Sequence, residues 1–276
     1  MNWVGINDLI KSALAEDIGH GDMTTDSLVE PDIEASGVFL AKARGILAGI
    51  EVSQAVFAML DPQVSFMIHK QDGETINPGD ILARVEGRAA SLLTGERLAL
   101  NFVQRLSGIA TKTRHYVDLI GDAPVRLVDT RKTTPGLRVL EKYAVTVGGG
   151  HNHRFGLYDG VMIKDNHILV AGGITPAVEK VRAKVPHTLK IEVEVDTLEQ
   201  LQEALGAGAD IILLDNMDLP TLKKAVKMTR GRALLEASGG INEKTIAAVA
   251  RTGVDIISSG ALTHSAVSLD ISFDIV

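Results

Sequence analysis

The sequence predicts a mixed α/β protein, with a small α+β unit followed by a closed or nearly closed barrel of parallel strands alternating with helices. Three observations carry this. The first hundred or so residues hold short alternating apolar segments parted by turn signals. A segment from Ser91 to Ile120 has apolar residues at helical spacing. After Pro124 the pattern changes to short, continuous apolar runs, each followed by polar or glycine-rich residues and then a helical stretch.

In chain order, SGVFLAKARGILAGI and VSFMIHK read as strands, with DGETINPGD supplying the turns. The run SLLTGERLALNFVQRLSGIATKTRHYVDLI is interrupted at Gly108, which predicts two helices or one broken helix bridging the halves. Seven apolar runs follow: VRLVDT, AVTVGGG, DGVMIKDN, LKIEVEVD, DIILLDN, ALLEASGG and VDIISSG. Strands buried on both faces and alternating with helices indicate parallel architecture. The expected domains are residues 1–112 and 113–276, with the last helix free to return to the first domain.

Composition bounds the function. With 276 residues, 45% of them hydrophobic, the chain can bury a large core. Having no cysteine, it has neither disulfides nor thiolate metal sites, and covalent catalysis through sulfur is excluded. The N-terminal MNWVGINDLIKSALAEDIG lacks the features of a secretory signal and no later segment could span a bilayer, so a cytoplasmic enzyme is expected. A net charge of −7 argues against nonspecific nucleic-acid binding. Between Arg126 and His167, however, seven Lys or Arg and three His face only Asp129, Glu141, Asp159 and Asp165. Such a basic window can attract a small polyanion.

In parallel barrels the chemistry lies at the C-terminal ends of the strands. Those positions hold Asp129, Arg131 and Lys132; Gly148 to Gly150 with His151, His153 and Arg154; and Lys164 with Asp165. The later ones hold Glu192 or Glu194 with Asp196, Asp215 with Asn216, Ser238 with Gly239 and Gly240, and Ser259 with Gly260. The last two loops, SGG and SSGA, can present backbone N–H groups as an anion cradle, which favours a phosphomonoester. Arg131, Lys132, His153 and Arg154 suit a ligand with more than one negative group, while Arg138, Lys142 and His151 read as solvated charge. Lys164 suits a phosphate or pyrophosphate contact, with a Schiff-base lysine as the alternative. Glu194 and Asp215 suit ribose hydroxyls, a divalent cation or a developing positive charge, against a structural salt bridge to Lys190 or Arg131.

The motifs DTRKTTPGLR, GGGHNHR, VMIKDNHI, IEVEVD, ILLDNM, LEASGGI and SSGALTHS together resemble the quinolinate phosphoribosyltransferase (decarboxylating) family. The resemblance extends to AEDIGHGDMTTD and LTGERLALNFVQRLSGIAT and so covers essentially the whole chain. It implies an N-terminal open-faced α/β sandwich, an incomplete α/β barrel of about seven strands, and a homodimer with active sites shared between subunits. It further implies that Arg97 enters the partner's site, that Arg131, His153, Arg154 and Lys164 bind quinolinate, and that Lys132 contacts substrate or pyrophosphate. Glu194 and Asp215 match acids near the ribose and Mg²⁺, and Ser238, Gly239, Gly240, Gly260 and His264 match contacts to the 5-phosphate, beside Ser259. The implied reaction joins quinolinate to phosphoribosyl pyrophosphate and releases pyrophosphate and CO₂, with Mg²⁺ and no organic cofactor. Rival readings are a relative using nicotinate or another pyridine or azole acid, a branch associated with molybdenum transport, a Schiff-base aldolase at Lys164, and a lipoyl- or biotinyl-like carrier suggested by DGETINPGDILARVEG.

Overall fold

The computed structural model describes residues 3–276. Helix α1 (Trp3–Ile18) buries Ile6, Ile10 and Leu14, spaced four apart on one face. The short α2 (Met23–Leu28) starts at Asp22, whose carboxylate accepts the Thr25 N–H and so satisfies an end-of-helix donor. Strands β1 (Glu34–Ala41) and β2 (Gly45–Ile46) precede α3 (Ile50–Leu60), then come β3 (Ser65–Ile68), β4 (Thr75–Ile76) and β5 (Ile81–Arg88). The long α4 (Ala89–Ile120) leads to β6 (Arg126–Val128), α5 (Arg138–Val147), β7 (Val161–Ile163), α6 (Asp165–Ala171) and α7 (Ile174–Arg182). Strand–helix pairs follow as β8 (Ile191–Val195), α8 (Leu198–Gly206), β9 (Ile211–Asp215), α9 (Leu219–Thr229), β10 (Leu234–Ser238) and α10 (Ile246–Ala250). The chain closes with β11 (Ile256–Ser258), α11 (Ala261–His264) and β12 (Ile271–Ile275).

These elements form two compact units. The first comprises the described residues up to Arg114 together with Thr134–Gly149 and Ser265–Val276; the second comprises His115–Thr133 and Gly150–His264. The division is therefore interleaved, where the sequence suggested a single break after residue 112. Its reason is local packing. Within the first unit Arg105 of α4 bonds the fully buried Glu141 of α5 at 2.8 Å, and Glu141 also accepts from the Thr134 N–H and hydroxyl. The chain end is a strand, where a helix was expected: β12 pairs antiparallel with β1 in a sheet of order β12-β1-β5-β3. Phe39, Phe57, Phe66 and Phe273 cluster against that sheet, with the Phe39 and Phe273 centroids 5.1 Å apart.

Gly108 does not break α4, which is one continuous helix. A Cβ there would overlap the Val267 carbonyl oxygen, so glycine serves the close passage of the C-terminal segment over the helix. Lys142, read as solvated, is fully buried on α5 among Leu140, Glu141, Ala144 and Val145.

The second unit contains a six-stranded parallel sheet of order β6-β11-β10-β9-β8-β7. The expected strand AVTVGGG is instead the end of α5 and its glycine turn, whose apolar residues pack in the first unit. In the sheet its place beside β6 is taken by a single bridge between Val128 and His151. Alternation along β8 buries Ile191, Val193 and Val195 on the opposite face from Glu192 and Glu194. Among the described residues, no helix is long and apolar enough to cross a membrane.

Candidate active site

The C-terminal ends of the parallel strands surround a cavity of about 590 Å³ within the second unit. Its walls contain Arg131, Lys132, His153, Arg154, Lys164, Glu194, Asp215, Ser238, Gly239 and Gly240, with Thr130, Asn216 and Glu236. Ten of the residues proposed from the sequence thus meet in one space. Ser259, Gly260 and His264 are not part of its walls. The Ser259 N–H is occupied by the Val128 carbonyl, which extends the sheet. Gly260 packs under the Lys132 side chain, since a Cβ there would lie 2.8 Å from Lys132 Cδ and 3.2 Å from His264 Nε2. The Thr263 hydroxyl donates to the Lys132 carbonyl at 2.7 Å, so this segment holds the lysine's loop in place. Arg97 lies on α4 in the first unit.

The cationic wall is built by main-chain geometry. Lys132 N–H bonds the Thr130 hydroxyl at 3.0 Å, turning the chain after β6. Arg154 donates to the Gly160 carbonyl at 3.0 Å, fixing the guanidinium beside the start of β7. Burial and the neighbouring Arg131 both press against the Arg154 charge and lower its affinity for its proton. Two guanidiniums forced together at the edge of a cavity are relieved by an anion with paired oxygens.

Lys164 Nζ sits 2.6 Å from Glu194 Oε2. Glu194 therefore pairs with Lys164, and not with the Lys190 or Arg131 considered from sequence. That contact also leaves the amine against a carboxylate, where a Schiff-base lysine needs an apolar pocket. Asp215 accepts from the Asn216 side chain at 2.8 Å, and Asn216 itself adopts φ 52° to bring its N–H to the Ser238 carbonyl. Gly239 (φ 83°) and Gly240 (φ 62°) follow in left-handed conformations that turn their peptides at the strand end, and a Cβ on Gly239 would overlap the Asn216 side chain.

Below this rim lies a group that strand-end reasoning did not single out. His153 Nε2 is 3.1 Å from Glu192 and 3.4 Å from Glu236, two carboxylates that are 3% and 1% exposed. Its Nδ1 accepts the Arg154 N–H at 2.7 Å, and its own N–H bonds the buried Asp129 at 2.9 Å. Both ring nitrogens are thus engaged within the chain, while the residue also lines the cavity. Burial would lower the proton affinity of His153, but the hydrogen bonds to Glu192 and Glu236 outweigh it and raise its pKa to about 10. Burial, reinforced by the nearby Glu236, pushes Glu192 up despite the opposing bond from His153. The legible signal was the alternation in IEVEV, which sends Glu192 to the same interior face as Glu194.

A parallel α/β sheet whose strand ends gather guanidiniums, ammoniums and a glycine cradle defines a polyanion-handling α/β enzyme. The family can be stated as well. Residues 22–107 match the N-terminal domain, and residues 109–274 the C-terminal domain, of quinolinate phosphoribosyl transferase. The chain belongs to the quinolinate phosphoribosyltransferase family. It is 49% identical over 276 residues, all of this chain and 95% of the relative, to a probable nicotinate-nucleotide pyrophosphorylase (carboxylating) of Bacillus subtilis. It is 43% identical over 97% of its length and 82% of the relative to the chloroplastic nicotinate-nucleotide pyrophosphorylase (carboxylating) of Arabidopsis thaliana. The crystal structure of NadC from Streptococcus pyogenes superposes with a TM-score of 0.96 at 44% identity, covering 100% of this chain and 98% of that one.

Proposed function

We propose that the chain transfers the phosphoribosyl group of phosphoribosyl pyrophosphate to quinolinate with loss of CO₂, giving nicotinate mononucleotide and pyrophosphate in NAD biosynthesis. The observation that carries this reading is the one cavity at the strand ends whose walls bring Arg131, Arg154 and Lys132 together with Glu194 and Asp215. The cations suit the two carboxylates of quinolinate, and Lys132 with Lys164 suits the departing pyrophosphate. Glu194 and Asp215 suit the ribose side, where positive charge grows as the bond to pyrophosphate breaks. Gly239 and Gly240, turned by their positive φ, suit the 5-phosphate. The pyridine nitrogen is the nucleophile, so the protein's work is to hold two reactants in line and to stabilise separating charge.

Mg²⁺ fits this arrangement as a companion of the pyrophosphate. Among the described residues neither Glu194 nor Asp215 belongs to a group of three metal-ligating side chains, and Glu194 is already paired with Lys164. One half-buried carboxylate, Asp215, on the wall of a cavity suited to phosphates is the usual protein share of such a site. When bound, the ion would neutralise charge on the leaving group.

The proposal includes a homodimer in which Arg97 completes the partner's site, and a cytoplasmic location, which fractionation of producing cells tests. The reaction is tested by incubating the purified protein with quinolinate, phosphoribosyl pyrophosphate and Mg²⁺ while following nicotinate mononucleotide and CO₂, beside reactions containing nicotinate. Product from quinolinate alone is expected; product from nicotinate alone would overturn the substrate assignment.

A further inference from the structure

Among the described residues other than glycine, only Asn216 and Arg230 have a positive φ, 52° and 51°. Arg230 caps the C-terminus of α9, an ordinary place for a left-handed residue. Asn216 instead stands at the end of β9 on the wall of the cavity, where a left-handed backbone is a local cost that its surroundings must hold in place. Three contacts hold it. Its N–H donates to the Ser238 carbonyl at 2.9 Å, carrying the β9–β10 pairing one step past the Asp215–Ser238 register. Its side-chain Nδ2 donates to Asp215 Oδ2 at 2.8 Å. Its Oδ1 lies against Gly239, so close that a Cβ there would overlap it.

We propose that Asn216 is a positioning residue for phosphoribosyl pyrophosphate. Its amide ties the Asp215 carboxylate to the Gly239–Gly240 turn, so that the ribose side and the 5-phosphate side of the site keep one fixed spacing. This rests on the phosphoribosyl-transfer reading above and deepens it.

The two acids of the rim are held in different ways. Lys164 meets Glu194 with a full charge at 2.6 Å. The amide that meets Asp215 is neutral: it commits Oδ2, fixes the plane of the carboxylate and leaves the negative charge, with Oδ1, for a ligand. Only the Nδ2 end of the amide can face a carboxylate, because its carbonyl end would be repelled. The Asn216 Oδ1 is thereby aimed at Gly239, which must lack a side chain to pass it. Any turn of the amide therefore disturbs the acid and the glycine turn together. A ribose held at Asp215 and a phosphate held at Gly239 and Gly240 then share one template, which is what in-line attack on the anomeric carbon requires. The cations suited to quinolinate are built elsewhere, Arg131 after β6 and Arg154 before β7.

Asn216→Gly tests this, because glycine adopts the left-handed backbone and keeps the N–H to Ser238 while removing the amide. Asn216→Asp keeps the shape but sets a second carboxylate beside Asp215 in place of the donor. Binding of phosphoribosyl pyrophosphate to the full chain with Mg²⁺ would be measured by calorimetry in the absence of quinolinate. It should weaken about tenfold in the glycine variant, the scale of one hydrogen bond to a charged group, and further in the aspartate variant, whose two carboxylates repel. KM for phosphoribosyl pyrophosphate should rise in step, while KM for quinolinate and the thermal unfolding midpoint stay unchanged. Unweakened binding in the glycine variant would overturn the proposal, as would equal rises in KM for both substrates. An aspartate variant that binds like wild type would overturn it too, by leaving Asn216 only a space-filling role. A wild-type protein that binds phosphoribosyl pyrophosphate but makes no nicotinate mononucleotide would overturn the reaction, and the binding comparison would still decide Asn216. If wild type does not bind phosphoribosyl pyrophosphate, the reaction and the positioning role fall together.

Discussion

Lys164 and Glu194 form the shortest charged contact across the mouth of the cavity, with Nζ 2.6 Å from Oε2, and both remain partly in solvent at 45% and 17% side-chain exposure. A pair so placed contributes little to folding, at most about 1 kcal/mol, because water screens it and two long side chains lose freedom. Its value is positional. Lys164→Ala should therefore leave the unfolding midpoint nearly unchanged while lowering kcat/KM by about 100-fold, the scale for losing one transition-state contact. Thermal unfolding beside initial rates checks both halves; a large drop in melting temperature would show that the pair is structural.

Arg105 and Glu141 behave in the opposite way. Glu141 is fully buried and accepts from Arg105, whose side chain is 23% exposed. Removing the guanidinium leaves a buried carboxylate with, among the described residues, only the Thr134 donors. Arg105→Ala is expected to cost about 3 kcal/mol of stability, as for other broken buried pairs. Urea unfolding monitored by circular dichroism measures it, and a loss below about 1 kcal/mol would mean that water replaces the arginine.

The same two residues show where sequence reasoning stops. Arg105 sits in an amphipathic helix like any surface arginine, and Glu141 follows a proline-glycine turn; their union depends on α5 leaving the run of parallel strands for the first unit. AVTV read as a strand because a short apolar run has no period of its own, and only its packing partner decides between strand and helix. The strand-end positions were legible, because a parallel sheet places the residue after each apolar run at one rim, and Arg131, Lys132, Lys164, Glu194 and Asp215 do meet there. Glu192 and Glu236 were hidden because a charge inside a strand reads as an interruption unless the opposite face is known to be buried as well.

The buried triad should make stability depend on pH. The pKa of His153 rises from its ordinary value of 6.5 to about 10 in the fold, so the folded state holds a proton that the unfolded chain releases. The resulting stabilisation is fully present below about pH 6.5 and is lost as pH climbs toward about 10. His153→Gln removes the effect. The wild-type advantage over this variant, from urea unfolding, should be larger near pH 6 than near pH 10. An advantage that is constant or grows with pH would place the proton outside the triad.

The proposed sharing of active sites between subunits makes a prediction of its own. If Arg97 acts in the partner's site, Arg97→Ala and Lys164→Ala homodimers are each inactive, but a mixed dimer carries both defects in one site and none in the other. Random reassortment of equal amounts gives half mixed dimers, each with one intact site of two, so about a quarter of wild-type activity should return. The variants would be mixed under conditions that exchange subunits, with light scattering to confirm a dimer before and after. Recovery requires that the two residues serve one site from different chains. If Arg97 worked within its own chain, every chain would carry a defective site and mixing would restore nothing.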